Sequence, residues 1–320
     1  MGRVEAACRG ISGRGAWQAV RAPAGDTLGA IAAMAMLGVW TWTGAIEQAP
    51  AEPAGSATSR AEDASDSRAS PPVREVMLGG YVGAPYTYNS DVTVKKVGQH
   101  DLTAHDVGWD GEPFIDPLYY GARIVRWFEG GQTGAMIDFT HSKVLARLDE
   151  QVKFSGTLGG ATAPETAKLR DIFRRLEATH GHNMLTLNGL MRLSPLGSRL
   201  FPYVGLGAGV SLPHSEVQMM KDPGRTYEYQ YTGPVAQAVI GIELRVPRMS
   251  YFLEYKFSLA SYEMPLTHRD GSILFLDLWR QLSRWWSGEE PPGGRLATRL
   301  TSHQVIGGLG VRFAGPAPAH

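Results

Sequence analysis

The stretch YVGLGAGVSL, residues 203–212, alternates without a break. Val204, Leu206, Ala208, Val210 and Leu212 fall on one face, and Tyr203, Gly205, Gly207, Gly209 and Ser211 on the other. Side chains of a strand point to opposite faces in turn, so this is a strand with one apolar side. The segment 250–262 repeats the pattern: Tyr251, Leu253, Tyr255, Phe257 and Leu259 oppose Glu254, Lys256 and Ser258.

Working outward, period-two segments recur at 75–88, 117–128, 134–146, 183–193, 201–213, 233–246, 250–262 and 301–313. The connections alternate in length. Residues 129–133, 194–200 and 247–249 are short, whereas 89–116, 147–182, 214–232 and 263–300 are long. Long loops gathered at one end, with tight turns at the other, are the arrangement of an outer-membrane barrel. In lipid every backbone polar group must be satisfied internally, so strands cross only as a closed ring. The expected fold is therefore all-β, an eight-stranded antiparallel transmembrane β-barrel over 75–313. The last strand ends in Phe313, similar to the assembly signal of such barrels, although the tail AGPAPAH (314–320) follows it.

Composition agrees. Charged residues are 19% of the chain, with 39 Gly, 8 Trp and 12 Tyr. The formal net charge is zero, so no basic surface for nucleic acid is expected. Residues 1–26 carry scattered arginines, and TLGAIAAMAMLGVWTWTGA (27–45) is free of charge, so 1–45 reads as a secretory signal sequence, with an uncleaved inner-membrane anchor as the alternative because the apolar run is nearly long enough to span. Residues 46–74, rich in Ala, Pro, Ser, Glu and Arg, read as a disordered linker. The single Cys, Cys8, would leave with the signal, taking thiol chemistry with it.

The alternation assigns faces. Arg123, Asp138, Arg192, Glu243, Glu254 and Lys256 point inward and sum to zero charge, which predicts a paired lumen network, because buried charges need partners. In MIDFTHSKVLA (136–146), Asp138, Thr140 and Ser142 point inward. His141 and Lys143 share the lipid face of Ile137 and Phe139, at outer headgroup depth. Further polar residues gather at the same end: His105, Asp106, Trp109 and Asp110 in the first long loop, His180 and His182 before the fourth strand, and His214 and Glu216 after the fifth. Several imidazoles with carboxylates are suited to a transition metal, though no spacing matches a standard zinc motif. Residues 164–178 read as a short amphipathic helix with Leu169, Ile172, Phe173 and Leu176 on one face. No other run of helical length is expected after Ala45.

GWDGEPF (108–114), PLYYGAR (117–123), DFTHSKV (138–144), GHNMLTLN (181–188) and PYVGLGAGVSLPHSEV (202–217) together resemble the lipid A oxidases of rhizobial-type bacteria. YQYTGPVAQ (229–237) and FLEYKFSLA (252–260) extend the resemblance over roughly 75–313. It implies an outer-membrane enzyme of a Gram-negative bacterium. Such an enzyme converts the proximal glucosamine of lipid A to 2-aminogluconate, with O2 as acceptor and hydrogen peroxide as by-product. The partners expected are lipopolysaccharide and the outer membrane, with the protein a monomer. No dinucleotide fingerprint is present, so neither NAD nor flavin is expected; a divalent or transition metal is the candidate cofactor. A histidine of near-neutral pKa suits removal of the C1 hydroxyl proton. His141 is the first candidate, followed by His182 and His214, with Asp138 in the same catalytic set. Lys143 and Trp109 are candidates for substrate binding, and His141, His180, His182 and His214 for metal ligation. Two alternatives are a lipid A deacylase, suggested by His141 beside Ser142, and a non-enzymatic barrel serving structure or adhesion. Adjacent strand residues point apart, which argues against the first.

Overall fold

The computed structural model describes residues 75–314 except Pro223. The signal and linker expected over 1–74, and the tail beyond Ala314, lie outside the described residues. Eight long strands close a ring: β1 (Glu75–Thr87), β2 (Tyr120–Trp127), β3 (Thr133–Ala146), β4 (Phe173–Arg192), β5 (Leu200–Ser211), β6 (Gly233–Arg245), β7 (Met249–Pro265) and β8 (Arg295–Ala314). Each pairs antiparallel with its neighbour in chain order, and β1 pairs with β8 from Glu75↔Ala314 to Thr87↔Ser302. The ring has no free edge, as the alternating connections predict.

The faces follow the sequence. Outward lie Ile124, Ile137, Leu185, Leu187, Leu206, Ile240, Leu253 and Val305, all exposed, with Leu206 at 73%. Inward lie Arg123, Asp138, Asn188, Gln237, Glu254, Lys256 and Gln304, all buried. An apolar exterior around a polar interior is the inverse of a water-soluble protein and is stable only in lipid. The protein is an outer-membrane β-barrel. Among the described residues no helix is long and apolar enough to cross a membrane, and the strands make the crossing.

Two charge networks fill the lumen. At mid-height Arg123 binds Glu254 through both terminal nitrogens, at 3.0 and 2.9 Å, and Asp138 through Nε at 3.2 Å. Lys256 reaches Asp138 at 2.5 Å, Tyr81 at 2.9 Å and Thr140 at 3.1 Å, and Tyr203 donates to Glu254 at 2.8 Å. At the turn end Arg192 bridges Glu75 and Glu243 at 3.2 and 3.3 Å, while Arg245 binds Glu75. Among the described residues, side chains fill the interior and leave no open pore.

Above the membrane the wall continues. Ser90–Lys96 pairs with the start of β8, then with His100–Val107, which pairs with Gln151–Leu158. His214–Met219 pairs with the start of β4 and with Arg225–Tyr229. These pieces enclose a second, apolar core that includes Val94, Leu102, Phe154, Phe173, Leu176, Met184 and Leu296.

Two local expectations fail. Residues 164–178 are not a helix: Thr166–Lys168 is a strand, Leu169–Asp171 a 3₁₀ turn, and β4 begins at Phe173. A bulge between Phe173 and Arg175 puts Phe173 and Leu176 on the same buried face, which imitates helical spacing in the sequence. Conversely, the last long loop holds a helix, α1 (Leu274–Ser287), where none was expected.

Candidate functional site: a two-histidine, one-carboxylate cluster at the outer rim

β4 is interrupted above its lipid-facing residues Leu187 and Leu185. Ala178 faces Val144 and His182 faces Ser142, so Thr179, His180 and Gly181 oppose Lys143 alone. Gly181 takes φ +133°, a conformation that favours glycine, and the strand turns over within this bulge. In a regular strand His180 and His182 would share a face. Here they part: His180 is exposed on the outside, and His182 is buried against Tyr262, whose hydroxyl also receives Ser211 Oγ–H at 2.9 Å.

The outer side of the bulge is completed by His214–Met219, which continues from β5. Its residues alternate as the strand does, so Ser215, Val217 and Met219 face the apical core, while His214 and Glu216 turn the other way, towards His180. His180 Nδ1 donates to Glu216 Oε1 at 2.5 Å, and Thr179 Oγ1 donates to the same oxygen at 2.7 Å. His214 Nδ1 lies 3.5 Å from that oxygen, too far for a good hydrogen bond. Arg175 holds the other oxygen at 3.1 Å. Tyr227 and Tyr229 pack edge-on against His214 at 4.9 and 4.8 Å between ring centroids.

His214 is oriented from behind. Its Nε2 donates to the Gly271 carbonyl at 3.0 Å, and a carbonyl can only accept, so Nε2 carries hydrogen. Its Nδ1 is buried without a hydrogen bond and faces the Glu216 carboxylate oxygen at 3.5 Å. A buried imidazole nitrogen and a carboxylate oxygen at that distance are a donor pair suited to a metal cation. A backbone acceptor that fixes the ring's other nitrogen is the usual support for a metal-binding imidazole. One donor atom each from His180, His214 and Glu216 lie within 4.8 Å of one another. Burial pushes the Glu216 carboxyl up, but its hydrogen bonds from His180 and Thr179 outweigh this and hold it well below the ordinary range. The same contact with Glu216 raises the His180 imidazole, against the opposing effect of burial. The side chain of His180 is 59% exposed, so the cluster is open to one side.

No protein-family model and no curated protein matches the chain. Among solved structures it is similar to the crystal structure of Neisserial surface protein A (NspA), at 8% identity over 75% of this chain and 97% of that one, with a TM-score of 0.32. It is also similar to the crystal structure of the outer membrane protease OmpT from Escherichia coli, at 9% identity over 75% and 97%, with a TM-score of 0.35. At these values neither likeness bears on activity.

The remaining candidates scatter. His141 lies on the outward face but is itself buried, stacked on Tyr120 at 4.6 Å, and donates from Nδ1 to Asn183 Oδ1 at 2.8 Å. Asn183 in turn donates to the Leu212 carbonyl at 3.2 Å, so a polar chain runs from His141 towards the segment that carries His214. Lys143 does face outward, but the preceding loop covers it: it is buried, donates to the Ile115 carbonyl at 3.0 Å and lies 3.6 Å from Glu112. It is a loop clamp and cannot meet a lipid phosphate in this arrangement. Trp109, expected to bind substrate, is buried in the apical core with Nε1 donating to Ser90. Asp138 is consumed by the lumen network, on the opposite side of the wall from His141. Ser142 donates to the His182 carbonyl at 3.4 Å, with His141 on the other face, so these neighbours form no nucleophile–base pair. Glu216, grouped in the sequence with the imidazoles of this end but not put forward as a ligand, shares a strand face with His214 two residues before it.

Proposed function

We propose that this outer-membrane barrel is an oxygen-dependent oxidase of lipid A, with a redox metal held by His180, His214 and Glu216. The observation that carries it is the placement of that cluster. It stands on the outer wall, where β4 rises past the lipid-facing Leu187 and Leu185, which supports a site near the sugar headgroups. The donor set fits iron. Two histidines and one carboxylate with open positions are the ligands of non-haem Fe(II) sites that use O2. The proton between His180 and Glu216 is what a metal ion displaces on binding. The metal would supply a route for electrons from sugar to oxygen.

The family resemblance supplies the substrate. At C1 of the proximal glucosamine the C–H and O–H bonds break and a C=O bond forms, giving a lactone. The two electrons and two protons reduce O2 to hydrogen peroxide, and water then opens the lactone to 2-aminogluconate. A free C1 hydroxyl is required, so a 1-phosphate blocks the reaction. His141, on the same outer face and linked through Asn183, is the proposed base for the hydroxyl proton. Gly271 fixes the His214 ring, and Arg175 and Thr179 fix Glu216.

The test is purified protein with 1-dephosphorylated lipid A under air and under argon, read by product mass and peroxide. Gain of one oxygen on the proximal sugar under air alone supports the reading. Product formed equally under argon, or none from a folded, iron-loaded barrel, rejects it.

A further inference from the structure

Helix α1 carries its side chains the opposite way to a helix on a water-soluble loop. Its buried stripe is polar: Asp277, Gln281 and Arg284. Its exposed stripe is Phe275, Trp279, Leu282 and Trp286, at i, i+4, i+7 and i+11, with Leu276 alongside; Trp286 is 93% exposed. The polar stripe is satisfied by a strand edge. Asp277 accepts from the Tyr229 amide at 3.3 Å, Gln281 bonds both the amide and the carbonyl of Tyr231 at 2.8 Å, and Arg284 pairs with Glu228 at 3.2 Å. Those bonds fix which side of the helix faces away from the protein.

The height of the helix is also fixed. Residues 229–231 lead directly into β6 at Gly233. The C-terminal half of the helix, through Gln281, Arg284 and Trp285, shares a cavity of about 410 Å³ with Pro234, Ser261, Glu263 and Ala297. These four belong to the outward faces of β6, β7 and β8, by their alternation with buried Val235, Tyr262 and Leu296. Two outward positions below Ser261 on β7 is Phe257, and one below is Leu259, already in the apolar band. Four residues of tilted strand, from Glu263 to Leu259, span about 10 Å along the membrane normal. The helix therefore stands within about 10 Å of the lipid-facing band of the barrel, with its apolar stripe turned away from the protein.

We propose that α1 lies in the plane of the outer leaflet as an interfacial anchor, with lipid covering Phe275, Leu276, Trp279, Leu282 and Trp286. A helix of 14 residues is about 21 Å long, and such a helix with aromatic side chains seats at the boundary between headgroups and acyl chains. In water the same stripe would be a large exposed apolar patch. The anchor stands independently of the activity proposed above. It does adjoin that site, because Gly271, which orients His214, lies two residues before Ile273, the N-cap of α1.

The test is site-directed spin labelling of the full chain in phospholipid vesicles. Trp279→Cys, Trp286→Cys and the loop-tip control Val97→Cys are made singly in a Cys8→Ser background; all three positions are exposed, so folding is preserved. Labels at 279 and 286 should collide freely with oxygen and be shielded several-fold from a water-soluble nickel relaxant, compared with position 97. Equal access of the relaxant at all three positions overturns the anchor. Dipolar broadening between labels, lost on dilution with unlabelled protein, would assign the stripe to a second copy and overturns it equally.

Discussion

Arg123 and Glu254 face each other across the barrel lumen with two parallel hydrogen bonds, at 3.0 and 2.9 Å, and both are almost wholly buried. The pair is not isolated, since Asp138 and Lys256 complete a four-charge set that sums to zero. Removing one partner leaves an uncompensated charge away from water. Glu254→Gln should destabilise the barrel by about 3–5 kcal/mol. Urea unfolding of the reconstituted barrel, followed by tryptophan fluorescence, measures this. A change within about 0.5 kcal/mol, the range of ordinary surface substitutions, would show that the network contributes little.

Asp138 and Lys256 make the complementary case. Either Asp138→Asn or Lys256→Met alone strands a charge, whereas the double variant removes both. The double variant should therefore be more stable than the sum of the single effects predicts, by about 0.5–3 kcal/mol. Additivity in the same unfolding assay would contradict the pairing at 2.5 Å.

The lumen and the wall were legible because period two admits only one partition of faces, and buried charge admits only paired solutions. That logic placed Arg123, Asp138, Glu254 and Lys256 together and split His141 from Ser142. It stopped working where the ladder was irregular. The bulge at Thr179–Gly181 reverses the side of His180 relative to His182, so two histidines that look equivalent in sequence reach different compartments. The bulge at Phe173–Arg175 disguised a strand as a helix. Helix α1 was missed although Phe275, Trp279, Leu282 and Trp286 recur at helical spacing, because the last long loop was not read for that spacing. Lys143 was placed on the outward face, but neither the loop that covers it nor the apical core that takes Trp109 was readable from alternation.

Gly181 therefore becomes a test of how the site is built. A Cβ there would sit 2.5 Å from the Asn183 amide nitrogen, at a φ that disfavours L side chains. Gly181→Ala should destabilise by about 1–3 kcal/mol and displace His180 from Glu216. The bound metal of the purified protein, measured by mass spectrometry, should fall in parallel. Full metal content in this variant would mean that the bulge does not position the ligands.

The metal assignment separates His214 from His182 and Lys143, which the sequence had placed in one site. Chelation should abolish oxygen consumption, and Fe(II) should restore it in the wild type. His214→Ala and Glu216→Gln should bind little iron and remain inactive after Fe(II) is added. Both should still migrate as folded barrels, because the cluster lies outside the lumen networks. Lys143→Met removes a donor from the Ile115 carbonyl and should loosen residues 108–119, raising their hydrogen exchange without reducing iron content. His182→Ala should act through packing against Tyr262, lowering stability more than iron content. His141→Ala is the sharpest comparison: as a base it should cost about 10²–10⁴ in turnover with iron retained. If His141→Ala keeps full turnover while His214→Ala loses both iron and activity, the metal site stands and the base must be sought elsewhere. If His214→Ala keeps its iron, the three-residue ligand set is wrong, whatever His141 does.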